Sequence, residues 1–136
     1  MSGNLNYWAI LVSGVTYWII GGVWYAAIFT KQYQTALNFD EETKKKADKD
    51  FPKALVAHFS SGLLTSFFLA NFVGVTGASS FWDGLVCGFL VWLAIAFTIN
   101  FNYFMFEKKP IAWFLVNIGF FLVAFTVMGG ILTVWT

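Results

Sequence analysis

Four apolar stretches divide the chain, and the charged residues gather in the links between them. The clearest stretch runs from Gly84 to Glu107, GLVCGFLVWLAIAFTINFNYFMFE, with no ionisable side chain before its last residue. At about 1.5 Å per residue, such a helix is long enough to cross a hydrocarbon core. Gly84, Gly88, Trp92, Ala96 and Asn100 recur every four residues and therefore share one helical face. Gly84, Gly88 and Ala96 are small enough to admit another backbone closely in lipid, and the Asn100 amide on that face needs a partner. This predicts a membrane helix over about 84–106.

The same reasoning places helix one at about 7–29. Gly14, Gly21 and Gly22 act there as close-packing positions, and Tyr7, Trp8, Trp24 and Tyr25 form interfacial belts at its ends. A polar connector follows over 30–52. Asn38-Phe39-Asp40-Glu41 fits an N-cap with an acid three positions on, which predicts a short helix from about Phe39 to Lys49. Its acids lead and its lysines (Lys44, Lys45, Lys46 and Lys49) follow, as the helix dipole favours. It is a solvated or surface-lying connector, or a docking or lipid-headgroup element.

Asp50-Phe51-Pro52 then resembles a cap followed by a first-turn proline, which starts helix two at about 53–75. Helix two carries His58, Ser60, Ser61, Thr65, Ser66 and Asn71, so it should face inward. The short link from Thr76 to Asp83 makes helices two and three neighbours, with Asp83 as a cap. Glu107-Lys108-Lys109-Pro110 makes the next turn, and helix four occupies about 111–135. The expected fold is all-α: one domain over 1–136, an integral membrane bundle of four transmembrane helices with antiparallel neighbours. A short cytoplasmic helix lies between helices one and two.

Composition agrees. The chain is 59% apolar and 11% charged, against about a quarter charged in soluble domains. Of its fifteen charged residues, eleven lie between Lys31 and Lys53 and three at Glu107–Lys109, with Asp83 alone. All eight basic residues are lysine, which removes bidentate phosphate clamping and argues against nucleic-acid binding. The first and third connections hold all eight. Lysine bias therefore predicts that loops 30–52 and 107–110 are cytoplasmic and both termini outside. Cys87 stands alone within an apolar stretch, so neither an intramolecular disulfide nor a cysteine metal site follows. The N-terminus lacks a Lys/Arg n-region, and helix one is expected to be retained as a span.

Counting inward along each helix brings Trp24, His58, Asn100 and Asn117 to a common depth, about 8–9 Å from the cytoplasmic boundary. Tyr25, Ser61 and Asn102 lie nearby. Two explanations of this layer stand. The groups join the helices by hydrogen bonds worth about 0.6–2 kcal/mol each in lipid. Alternatively they line a cytoplasm-facing cavity that binds a solute or relays a proton through His58. Glu107 beside Lys108 suggests an interfacial ion pair. No Gly-rich phosphate loop, HExxH, nucleophile–base pair or two-His metal spacing occurs, so no catalytic residue, metal or cofactor is expected.

One further pattern spans nearly the whole chain. Gly21-Gly22-Val23-Trp24-Tyr25 with Phe29 and Lys31, then Gly77-Ala78, Gly84, Gly88 and Trp92, lead to Asn102-Tyr103-Phe104-Met105-Phe106-Glu107 with Pro110. Asn117-Ile118-Gly119-Phe120 and Met128-Gly129-Gly130-Ile131-Leu132 with Trp135 complete it. It resembles a family of small bacterial membrane proteins, the domain of unknown function 1761. Ala26-Ala27 departs from the Ser-Pro common after Trp-Tyr in that family, so a straighter end to helix one is expected. The resemblance implies a four-helix protein of the bacterial inner membrane, and it supplies no reaction or partner. The function expected is non-enzymatic, through self-association or as an accessory subunit of a membrane complex. A small-solute or ion transporter is the alternative, and a membrane enzyme acting on lipid comes third.

Overall fold

A computed structural model describes residues 5–135 as five helices with no strand among them. They are α1 (Tyr7–Ile28), α2 (Thr30–Ala36), α3 (Glu41–Thr76), α4 (Phe81–Phe106) and α5 (Ile111–Val134). All but α2 are long and apolar enough to cross a membrane.

Three of the described helices, α1, α3 and α4, start at a side-chain cap. Asn6 caps α1: its side-chain oxygen accepts from the N–H groups of Trp8 (3.1 Å) and Ala9 (3.2 Å). Its amide also donates to the Trp135 carbonyl at 2.8 Å, tying together the two ends of the described chain. Ser80, not Asp83, caps α4. Asp83 is the third helical residue of a capping box, and its carboxylate accepts from the Ser80 N–H at 3.2 Å.

The connector departs most from expectation. The helix expected over 39–49 and the one expected from Lys53 are a single helix, α3, of 36 residues. Its cap is Asp40, two residues beyond the expected site, because Asn38 adopts a left-handed φ of 54° in the turn before it. The Thr43 side chain, together with the cap bond from the Thr43 N–H (2.7 Å), holds the Asp40 carboxyl below the usual aspartate range. Pro52 lies inside the helix rather than at its start. Proline removes one backbone donor and leaves a carbonyl unpaired in the preceding turn. Residues 41–54 are all exposed, so that carbonyl is free to meet solvent. A short helix, α2, fills the first part of the connector instead.

Packing centres on α5, which touches every other helix, while α1 pairs with α3. At the α1–α3 contact, a Cβ on Gly14 would stand 3.2 Å from the Leu63 backbone, and one on Gly62 would stand 2.8 Å from the Gly14 carbonyl. Farther along, the Ser66 hydroxyl donates to the Ile10 carbonyl at 2.8 Å.

The α4–α5 contact is closer still. A Cβ on Gly84 would lie 2.3 Å from the Gly129 carbonyl, and one on Gly88 would lie 2.1 Å from that of Phe125. Ala96 is buried on the same side. The Gly84–Ala96 stripe is therefore covered within the chain, and it is not a face left over for another subunit.

α3 and α4, expected to be neighbours because so short a link joins them, meet near that link. There the Thr76 hydroxyl approaches the Cys87 sulfur at 3.4 Å. Beyond it they diverge around an apolar cleft of about 760 Å³, lined by Leu64, Phe68 and Phe72 of α3 and by Leu90, Leu93 and Ile95 of α4. A short link brings two helix ends together; side-chain shape decides whether the shafts touch.

Candidate functional site

The polar layer resolves into one joined cluster and several residues apart from it. α1 ends in a wider turn. Trp24–Ile28 is a π-helical turn, closed by the Phe29 N–H on the Trp24 carbonyl at 2.9 Å. The Thr30 hydroxyl takes the Tyr25 carbonyl at 2.7 Å. This wider turn sets Trp24 and Tyr25 side by side against α5. The Trp24 indole N–H donates to the Val116 carbonyl at 2.9 Å, and the Tyr25 hydroxyl donates to the Asn117 side-chain oxygen.

α4 repeats half of this device. Its own π-helical segment, Trp92–Phe97, begins with a tryptophan whose indole N–H donates to the Ile118 carbonyl at 2.8 Å. Two tryptophans at the starts of two π turns thus hold α5 through carbonyls two residues apart. Single π turns widen a helix locally and re-aim the side chains on it.

The rings continue the cluster. Phe120 lies between Tyr17 (5.1 Å between centroids), Tyr25 (5.4 Å) and His58 (5.7 Å), and Tyr25 also meets Tyr33 of α2 at 5.2 Å. Burial raises the pKa of the Tyr33 hydroxyl, and the side chains of Trp113 and Asn117 partly offset that rise.

His58 packs on α1. Its ring is 4.7 Å from that of Tyr17, and its Nε2 occupies the space that a Cβ on Gly21 would need, only 2.0 Å away. Gly21 is what admits the imidazole. Nε2 is buried without a hydrogen-bond partner.

The remaining expected members lie outside the cluster. The buried Asn100 amide donates to the Ala96 carbonyl of its own helix at 2.7 Å, so it links no other helix. Asn102 is exposed, as is Tyr103, and the end of α4 does not repeat the Trp24-Tyr25 arrangement. Glu107 and Lys108 form no ion pair among the described residues. Both are exposed, and Lys108 turns through a left-handed φ of 54°. Lys109 instead sits over the Trp113 ring at 5.8 Å.

Tyr33 and Trp92 were missed as members. For Tyr33 the chain carries no signal, because α2 lies in a stretch without apolar periodicity. Trp92 was visible on the glycine face, but its indole donor finds its carbonyl only through the crossing. Among the described residues, no three His, Cys, Asp or Glu side chains gather as a metal site would require.

These features define a class: an all-α bundle of four membrane-length helices, closed around α5 by glycine contacts and tryptophan–carbonyl bonds. The chain belongs to the family described as Protein of unknown function (DUF1761), which it matches over residues 8–133. Comparison with curated proteins and with solved structures gives no significant match.

Proposed function

We propose that this is a non-enzymatic, multi-pass protein of the bacterial inner membrane that works by association within the bilayer, with a second copy of itself or as an accessory subunit. The contact pairs support antiparallel spans: positions rise along α1 as they fall along α3 (Ile10 with Ser66, Gly21 with His58), and likewise along α4 and α5. Lysine bias supports cytoplasmic placement of residues 30–52 and 107–110, with both termini outside. The bilayer is then its surroundings, and nucleic acid is no part of its partnership.

One contrast carries the reading. Inside the bundle, Tyr25, Asn117, Trp24, Trp92 and Asn100 spend their hydrogen bonds within the chain. Outside, Leu64, Phe68, Leu93 and Ile95 stand exposed around the α3–α4 cleft. Those satisfied groups make a scaffold, and the concave gap between the diverging spans offers another helix close packing that lipid tails match less well.

The transporter reading keeps one observation in its favour, the unpartnered His58 Nε2. Native mass spectrometry of the protein released from its own membrane in mild detergent separates the two. A homo-oligomer or a stoichiometric second protein is expected. A monomer retaining a polar small molecule, lost in His58→Ala, would overturn association in favour of transport.

A further inference from the structure

The turn that starts α3 early also builds a concave surface that the polar layer does not include. The Asn38 N–H donates to the Thr35 carbonyl (3.1 Å) and the Phe39 N–H to the Gln34 carbonyl (3.0 Å), which folds the chain back on α2. The fold-back brings Lys44 of α3 to the same cavity as Lys31 of α2. That cavity is of about 540 Å³ and is also walled by Gln34, Thr35 and Asn38. No carboxylate lines it, and neither lysine is ion-paired among the described residues. The nearby Asp40 carboxylate is held by its own helix cap.

A second cavity, of about 560 Å³, shares Lys31 and Thr35 with the first, but its far wall is Ala36, Pro110, Ile111 and Ala112. The pair therefore offers cations and amides on one side and apolar carbon on the other. Its place fits that division. α2 begins two residues after α1 ends at Ile28, and Ile111 is the first residue of α5, so two membrane-length helices end beside it. Two unpaired lysines in one concavity repel each other until an anion lies between them. At a membrane surface each lysine adds about 1 kcal/mol of attraction to anionic lipid.

We propose that these adjoining cavities bind the phosphate group of an anionic amphiphile at the membrane surface, with Lys31 and Lys44 as its cationic contacts and Pro110–Ala112 under its apolar part. A phospholipid headgroup and a soluble phosphate ester share that chemistry. The inference rests on the membrane reading above, and recovery of the full-length protein in the membrane fraction checks that reading first and separately.

The test is native mass spectrometry of the full-length protein in neutral detergent, titrated with phosphatidylglycerol and, in parallel, phosphatidylcholine. Wild type is expected to retain phosphatidylglycerol preferentially. Lys31→Gln with Lys44→Gln should weaken retention about thirtyfold and leave the melting temperature in lipid-free detergent unchanged, since both side chains are exposed. Lys45→Gln with Lys46→Gln, an equal loss of charge outside the cavities, should change retention little.

Glycerol phosphate distinguishes the sources. Displacement of the lipid at millimolar concentration assigns the site to the phosphate alone, and failure to displace assigns it to a whole lipid. Equal retention of the two lipids, unchanged retention in the Lys31/Lys44 variant, or an equal loss in the Lys45/Lys46 variant would each overturn the proposal.

Discussion

α4 is joined to α3 by one short link and to α5 by another, yet it treats these neighbours differently. Against α5 it crosses backbone to backbone, with Gly84 and Gly88 meeting the carbonyls of Gly129 and Phe125. Against α3 it meets Thr76 through Cys87 and then diverges around an apolar cleft. Both faces are apolar, so hydrophobicity does not choose between them. Lipid solvates Leu93 or Phe68 as well as a neighbouring helix would, and what helix contact adds is close dispersion packing and hydrogen bonding. The face without side chains wins because it lets atoms approach; the face with large side chains keeps its partner away.

That account predicts graded effects. The largest belongs to Gly88→Val, whose first new carbon would stand 2.1 Å from the Phe125 carbonyl of another backbone. It should cost about 3 kcal/mol or more and lower the melting temperature in detergent accordingly. Gly22, with nothing within 4 Å of a Cβ, is the control: Gly22→Ala should stay within about 0.5 kcal/mol of wild type. Equal sensitivity at the two positions would end the argument from close approach.

A smaller effect is expected where a hydrogen bond, not a crossing, holds α5. Tyr25→Phe removes the donor to Asn117 and should cost about 1 kcal/mol. Adding Asn117→Leu should cost less than the sum of the single changes, since no buried amide then lacks its partner. Strict additivity in this thermal double-mutant cycle would mean that the bond contributes nothing to stability.

The smallest effect belongs to the cleft. Ala94→Leu places a larger apolar group on an exposed cleft position and should shift stability by no more than about 0.5 kcal/mol. A large loss in detergent would show that α3 and α4 close on each other, and the comparison with the α4–α5 crossing would fail.

Much of the architecture was legible because apolar length is a local property. Residues within each of the four spans can be counted from the chain, and a backbone in lipid must satisfy its own hydrogen bonds, which leaves helix as the open-chain choice. The Gly84–Gly88–Ala96 stripe was legible for a related reason, since spacing alone places those residues on one face.

The connector was less so. Asp50-Phe51-Pro52 looks like a cap and a helix start. But the donor that proline removes and the carbonyl it crowds lie in an exposed stretch where water can satisfy the freed group, and the helix capped at Asp40 continues through it.

The site divides in the same way. That Trp24, His58, Asn100 and Asn117 should lie at similar depth, with Tyr25 nearby, follows from counting along helices of known rise. Which of them touch does not, because rotation about each helix axis is fixed only by packing. Asn100 satisfied its amide on its own Ala96 carbonyl, and Asn102 ended exposed, while Tyr25 reached Asn117 because a π turn widened the end of α1.

The sequence by itself determined four membrane-length helices, the clustering of charge in two stretches between the apolar runs and the small-residue face of α4, all set by composition and spacing within a segment. Only the tertiary structure decided that α5 is the centre, that the glycine face is spent inside the chain and that Lys31 and Lys44 share a cavity. Each of those depends on distances between segments, and close packing, not local pattern, settles them.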